Sequence, residues 1–174
     1  KTMSDQMEGA YFPVDFATLS ASIQFIETWE NSLSVGTSRI TVIETCHPGG
    51  GVGFRVEENG CAFVYLTDNE LGDGVDRFVP FCRNASVLVH DAQYTPEEMQ
   101  THRGWGHSSY LEVLELAQKA GVRRVALFHH EPERTDTEID ALVEACRREM
   151  QRRGASFQCD AAAEGAQIDV CAES

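Results

Sequence analysis

With 174 residues, the chain is long enough to bury a hydrophobic core and too short to require two domains, so we expect one domain over residues 1–174. The 28 acidic and 14 basic side chains give a net charge of −14, which argues against a nucleic-acid partner because phosphate-backbone binding rests on Lys and Arg. No segment approaches the roughly 18 apolar residues of a membrane span, and no secretory signal opens the chain. The sequence therefore predicts a cytoplasmic protein that does not interact with a membrane.

Six cysteines are spread along the chain without a C-x-x-C pair or a compact framework. We expect them to be reduced thiols, mostly buried as small apolar groups, and we do not expect a zinc ribbon. The first residue is Lys1 rather than Met, which favours a processed chain or a fragment.

The first third of the chain has the pattern of antiparallel β structure. A short helical segment and a helical turn are predicted within residues 1–20, followed by strands at 23–28, 39–44, 52–57 and 61–67. Residues 34–36 predict a turn, the glycine-rich segment 46–51 cannot continue a strand, and Asn59-Gly60 is a hairpin signal.

The remainder alternates strands with helices. Thr95, Ser109 and Thr135 each stand three residues before a glutamate, which is the capping-box signature of a helix start. Helices are predicted at 74–83, from Thr95, from Ser109 to Gly121 and from Thr135 to Gly154, with strands at 85–90, 123–128, 157–160 and 167–170. This order predicts an α/β fold with one sheet layer and one helix layer.

Polar, proton-active residues end three of the predicted strands. Asp68, His90-Asp91 and His129-His130 each follow an apolar run, and ligands of open α/β sheets bind outside the carboxyl ends of the strands. Carboxylate and neutral imidazole suit zinc, manganese or iron, so Asp68, His129 and His47 together favour a metal site. Taken singly, His47 also fits a plain loop side chain and Asp68 a turn cap.

His107 stands before two serines at a predicted helix start, where unsatisfied backbone N–H groups favour an anion such as phosphate. If a carboxylate orients its ring, His107 can donate a proton to a leaving oxygen, and Asp91 is the candidate carboxylate. The alternative is a capping arrangement in which His107 only packs under Trp105. His90 and His130 point to the opposite sides of regular strands from their neighbours and are second choices.

These motifs resemble those of metallo-β-lactamase-fold hydrolases, close to the phosphodiesterase branch that includes phosphoribosyl cyclic phosphate phosphodiesterase and the tRNA 3′-processing nuclease. Residues 46–55 resemble the family's third motif, 65–68 the fourth and 127–129 the fifth, so the resemblance implies that His47, Asp68 and His129 are metal ligands. Residues 90–92 and 106–108 resemble the carboxylate–histidine pair, here Asp91 and His107, that helps to protonate the leaving group.

The resemblance implies a four-layer αβ/βα sandwich, of which this chain supplies roughly the C-terminal half. The family's H-x-H-x-D-H motif does not occur in the sequence. Two divalent metal ions are implied, zinc first with manganese or iron as alternatives, together with hydrolysis of a small or cyclic phosphodiester by a hydroxide held between them. Whether His129 or His130 is the ligand stays open, and we choose His129 from the motif.

We expect the isolated chain to lack a complete metal site and to be inactive, with the missing N-terminal half or a second copy as its partner. The alternative is a non-catalytic half-domain that serves interaction or self-association through an uncovered sheet face.

Overall fold

One mixed sheet of seven strands organises the part of the chain that the computed structural model describes, residues 5–7, 9, 11–25 and 32–171. The strands lie in the sheet in the order of the sequence. They are β1 (Leu33–Val35), β2 (Ser38–Glu44), β3 (Val52–Glu58), β4 (Cys61–Leu66), β5 (Val87–Asp91), β6 (Arg124–Phe128) and β7 (Gln158–Ala161).

The first four strands form an antiparallel meander. Asn59 and Gly60 both have positive φ, 50° and 79°, as a two-residue hairpin turn between β3 and β4 requires. Three of the four early strands predicted from the sequence are confirmed. The strand predicted at 23–28 is wrong for residues 23–25, which have no regular structure. Residues 26–28 lie outside the described part.

The predicted helical turn near Ala17 is confirmed as a short 3-10 helix at Phe16–Thr18. The short helical segment expected before it falls partly on residues outside the described ranges. Leu33–Val35 forms β1 where a turn was expected, and the chain turns directly after it, at Gly36.

From β4 onward the strands run parallel. The helices that follow are α1 (Val75–Cys82), α2 (Met99–His102), α3 (Tyr110–Ala120) and α4 (Asp136–Arg153). Both long helices end at a glycine in the left-handed conformation, Gly121 at φ 68° and Gly154 at φ 65°, which confirms the predicted ends.

Two predictions for this half need correction. The helix expected from Thr95 is reduced to turns and the single turn of α2, although Thr95 and Glu98 do exchange the two capping-box hydrogen bonds, at 2.7 and 3.2 Å. The strand expected at 167–170 does not form. This segment leads to Cys171, which is bonded to Cys61 at the start of β4.

The helices cover one face of the sheet. Val64, Leu88 and Val125 are register partners on β4, β5 and β6, and all three belong to the buried core together with residues of α1, α3 and α4. Register partners on the opposite face, such as Tyr65 and Val89, are only half-buried. The described structure is therefore one sheet with one helix layer.

The carboxyl ends of five strands meet at one edge of this sheet. β4, β5, β6 and β7 are parallel, and β2 has the same direction because two antiparallel pairings separate it from β4. The segments that follow these strands are tied together by backbone hydrogen bonds from Glu70 N–H to Cys46 O and from Ala92 N–H to Phe128 O, both 2.9 Å. We call this the carboxyl edge.

The expectation of six reduced cysteines is wrong for one pair. Cys61 and Cys171 form a disulfide across 110 residues of sequence, with Cα atoms 5.6 Å apart. Cys171 reaches Cys61 because the chain turns back after β7, so the spacing of the cysteines in the sequence does not predict this pair. Disulfides are uncommon in a reducing cytoplasm, so the cysteines no longer support that compartment. The other four are free thiols, three of them buried.

Among the described residues, no helix combines the length and the apolar character that crossing a membrane requires.

Candidate metal centre

Three side chains from different segments converge at the carboxyl edge. Asp68 lies two residues beyond β4, His129 directly follows β6, and His107 precedes α3. One ligand atom from each lies within 4.8 Å of the others, and His129 Nε2 is 3.4 Å from Asp68 Oδ1. Two ligands about 2.0–2.2 Å from one tetrahedral ion lie roughly 3.3–3.6 Å apart, so this pair has the spacing of a shared metal ion.

Both Asp68 and His129 occupy the left-handed region of the backbone, with φ of 53° and 50°. This conformation is uncommon outside glycine, although Asp and His tolerate it better than most residues. Strained backbone of this kind persists where the surrounding structure holds it, often at functional sites. Here it turns the chain sharply at the two strand ends that meet in the centre.

His107 is held by a buried carboxylate. Its Nδ1 donates to Asp91 Oδ2 at 3.1 Å, so its Nε2 is the ring nitrogen left for a ligand. The hydrogen bond that His107 donates to Asp91 raises the pKa of His107 against the opposing effect of burial. Burial alone would raise the pKa of Asp91, but hydrogen bonds from His107 and His90 outweigh it and lower that pKa. We call Asp91 and His107 the dyad.

A second histidine supports the dyad from inside the core. The His90 side chain is fully buried, and its Nδ1 lies 2.7 Å from the backbone carbonyl oxygen of Asp91 and 3.0 Å from Asp91 Oδ1. Its Nε2 lies 3.2 Å from the Asn69 amide nitrogen, and the Asn69 amide oxygen accepts from Cys46 N–H at 2.9 Å. Because Asn69 donates to Nε2, Nδ1 carries the proton and donates to the backbone carbonyl of Asp91. This chain of hydrogen bonds anchors the backbone of Asp91, the residue whose carboxylate orients His107.

Ser108 joins the same network. Its backbone N–H donates to Asp91 Oδ2 at 3.2 Å, and its hydroxyl donates to Asn69 O at 2.6 Å while accepting from Leu71 N–H at 3.0 Å. Sequence reasoning identified neither Asn69 nor the role of Ser108. The position of Asn69 directly after Asp68 is the one local feature of the sequence that could have indicated it.

His47 lies beside the centre without joining the close group. Its ring centroid is 5.4 Å from that of His107, and its Nδ1 accepts from Gly49 N–H at 3.2 Å. Metal ligation by His47 therefore stays a prediction. The two ring nitrogens of His130 are buried without a hydrogen-bond partner, and burial lowers its pKa. The contact with Asp68 favours His129 over His130 as the ligand.

The loop before His107 is clamped in an unusual conformation. Gly104 and Gly106 have φ of 84° and 91°, and their N–H groups both donate to the Glu70 carboxylate, at 2.8 and 3.0 Å. A Cβ added to Gly106 would lie 2.3 Å from His47 Cδ2, whereas one added to Gly104 would meet nothing within 4 Å. Gly106 thus allows this loop to pack directly against His47.

Replacing Gly106 with alanine is expected to destabilise the fold by about 2–6 kcal/mol, because about 1–3 kcal/mol of backbone strain adds to about 1–3 kcal/mol of overpacking. Gly104→Ala is the matched control and carries only the strain. Equilibrium unfolding in urea measures both. Equal losses in the two variants would mean that the loop does not depend on its contact with His47.

Residues 8–130 match the family described as the beta-lactamase superfamily domain, and the chain belongs to this superfamily. Within it, the chain is related to Ribonuclease Z of Thermoplasma acidophilum, with 38% identity over 92 residues that cover 53% of this chain and 28% of that protein. It is also 27% identical over 100 residues to the probable metallo-hydrolase YhfI of Bacillus subtilis, covering 58% of this chain and 39% of the relative. The chain therefore spans well under half the length of these relatives.

Solved structures show the same fold. The crystal structure of YhfI, a metallo-beta-lactamase fold protein, superposes with a TM-score of 0.62 and 22% identity over 81% of this chain and 53% of YhfI. Human tRNase Z, short form, gives a TM-score of 0.57 and 20% identity over 81% of this chain and 48% of its own. The metallo-β-lactamase fold expected from the sequence is thus confirmed, and the chain corresponds to part of it.

Proposed function

We propose that this chain supplies one half of the active site of a metal-dependent phosphodiesterase acting on a small or cyclic phosphodiester. The observation that carries the proposal is the position of the dyad. Asp91 holds His107 at 3.1 Å, and His107 reaches the Asp68–His129 pair that has the spacing of metal ligands. An oriented proton donor beside a metal centre is the arrangement that phosphodiester cleavage needs.

The residues fit divalent ions. Asp68 and His129 offer a carboxylate and an imidazole from an edge where both are nearly half-exposed, so ligands from another segment have access. Two divalent ions held there would supply a water of lowered pKa and neutralise charge on the phosphoryl oxygens. Zinc is our first choice, with manganese or iron as alternatives, and His47 and the H-x-H-x-D-H motif are the further ligands we propose for the complete site.

The chain's own residues have two tasks in this reaction. Asp68 and His129 hold the centre in place through their fixed backbone, and His107 gives its proton to the leaving oxygen. Asp91 keeps Nδ1 of His107 occupied so that Nε2 faces the reacting atoms, and the hydrogen bond to Asp91 raises the pKa of His107, which favours its protonated form.

The net charge of −14 supports a small substrate over a polymer, although relatives carry the name Ribonuclease Z. The partner we propose is the N-terminal half of the fold, or a second copy of the chain that covers the half-buried sheet face.

Hydrolysis by the complete protein that contains this chain tests the proposal. We expect zinc- or manganese-dependent cleavage of bis(p-nitrophenyl) phosphate, no cleavage by the isolated 174-residue chain, and slow cleavage of the monoester p-nitrophenyl phosphate. Asp68→Asn, which removes the charge and retains a residue that tolerates positive φ, should abolish both metal binding and turnover. The proposal would be contradicted if Asp68→Asn were as active as the unchanged protein, or if the protein cleaved a short RNA in preference to the small diester.

A further inference from the structure

A cavity of about 340 Å³ opens next to the dyad, and His107 forms part of its wall. Its volume lies at the lower end of the range of about 300–1,000 Å³ for small-molecule pockets. The lining residues used below are Tyr94, Glu98, His102, Trp105, His107 and Glu131. Because His107 contacts both the cavity and the metal centre, a group joined to a phosphorus atom at the centre can extend into the cavity.

Three aromatic rings form a continuous wall of this cavity. Tyr94 stacks on His102 with ring centroids 4.5 Å apart and an interplanar angle of 26°, and Trp105 packs edge-on against His102 at 4.8 Å. Tyr94 is buried, whereas Trp105 is 60% exposed. A large indole with most of its surface open to water offers a face on which another flat ring can stack.

The position of Trp105 is fixed before any ligand arrives. It stands between Gly104 and Gly106, whose N–H groups are both held by the Glu70 carboxylate. Gly106 also packs directly against His47, on the other side of the loop. The exposed ring is therefore presented by a clamped loop, which lowers the entropic cost of stacking on it.

The charges around the cavity disfavour a second phosphate. Its polar lining includes the carboxylates of Glu98 and Glu131, and no Lys or Arg lines it. Arg134 pairs with Glu98 at 2.8 Å from outside the lining, and Glu131 accepts from the Gln93 amide at 2.9 Å. Carboxylate oxygens on an aromatic pocket accept hydrogen bonds from ring N–H and amino groups and repel anions.

We propose that this cavity is the leaving-group subsite and that it stacks the base of a nucleoside, so that the substrate class is a small phosphodiester with an uncharged nucleoside as its leaving group. This inference rests on the proposed phosphodiesterase function, because the cavity holds a leaving group only if a phosphodiester is cleaved at the centre. The binding of a nucleoside base by the cavity depends only on the aromatic wall and its carboxylates.

Calorimetric titration of the metal-free 174-residue chain with adenosine, and separately with ribose, tests the subsite without any turnover. We expect adenosine to bind and ribose to bind at least tenfold more weakly. The sequence contains two tryptophans, Trp29 and Trp105, so in a Trp29→Phe background the fluorescence of Trp105 should fall saturably with adenosine and not with ribose.

Trp105→Ala should weaken adenosine binding about 5- to 150-fold, the factor that corresponds to about 1–3 kcal/mol of base stacking. Trp105→Phe keeps a ring and should retain part of the affinity. Because Trp105 is mostly exposed, neither change threatens the fold. Equal binding of ribose and adenosine, no adenosine binding, or an unchanged affinity in Trp105→Ala would overturn the subsite. A complete protein that cleaves no diester while adenosine still binds through Trp105 would instead refute the proposed reaction.

Discussion

His107→Ala is expected to lower turnover of a phosphodiester by the complete protein about 10²- to 10⁴-fold, which is the usual contribution of a positioned general acid. The reason is that His107 donates to the buried Asp91 and lies against the Asp68–His129 pair. Metal content should stay unchanged, because we assign His107 to proton transfer. Steady-state kinetics and elemental analysis of the same preparation measure the two effects.

The geometry alone leaves His107 close enough to serve as a ligand, since its free nitrogen lies within 4.8 Å of the other two donors. Histidine ligands commonly donate their second N–H to a carboxylate, as His107 does to Asp91. Loss of metal in His107→Ala would therefore reassign it as a ligand. Lys119→Ala, at the far end of α3 and paired only on the surface with Glu115 and Asp76, is the control and should change neither quantity.

Asp91→Ala is expected to cost about 3–5 kcal/mol of folding stability, the usual loss when one partner of a buried charged network is removed. The Asp91 carboxylate is fully buried, and its removal leaves His107 Nδ1 and Ser108 N–H without their acceptor and takes the negative charge away from His90, whose Nδ1 lies 3.0 Å from Oδ1. Asp76→Ala is the matched control, because Asp76 is 82% exposed and its pair with Lys119 should contribute about 0–1 kcal/mol. Equilibrium unfolding of the metal-free chain measures both.

The loss of folding stability in Asp91→Ala should depend on pH. The pKa of Asp91 is lowered in the folded protein, so its contribution is present above the unfolded aspartate pKa of about 3.9 and is lost as the pH falls through the folded value. The pKa of His107 is raised, so its contribution is complete below the unfolded histidine pKa of about 6.5 and is lost as the pH rises through the folded value. The loss in Asp91→Ala should thus be largest between about pH 4 and pH 6.5, and a pH-independent loss would contradict the assigned hydrogen bonds.

Local signals in the sequence predicted most of the architecture. The Asn59-Gly60 turn and the Gly121 and Gly154 helix ends are confirmed because each depends only on neighbouring residues. The meeting of Asp68 and His129 was predictable for a different reason, since both follow parallel strands and such strands end at the same edge of a sheet.

Contacts between distant segments escaped prediction. The support of His90 by Asn69 depends on Cys46, which lies 23 residues before Asn69 and on a different loop. The pairing of Cys61 with Cys171 spans most of the chain. The orientation of Asp91 towards His107 was anticipated from the resemblance, but the core histidine behind it was not, because a histidine in a strand carries no signal for the residue it will face.

Each strand pairs with its neighbour in sequence, and this order has a consequence for how the protein is made. The β2–β4 meander closes from contacts within about 30 residues, so it can form early during synthesis, as domains and hairpins with local contacts do. The carboxyl edge cannot be assembled then, since His129 follows β6 and reaches Asp68 only after β5 and β6 have been added. A nascent chain can therefore form the meander before it can form the metal centre, because Asp68 has no His129 beside it until β6 has been made.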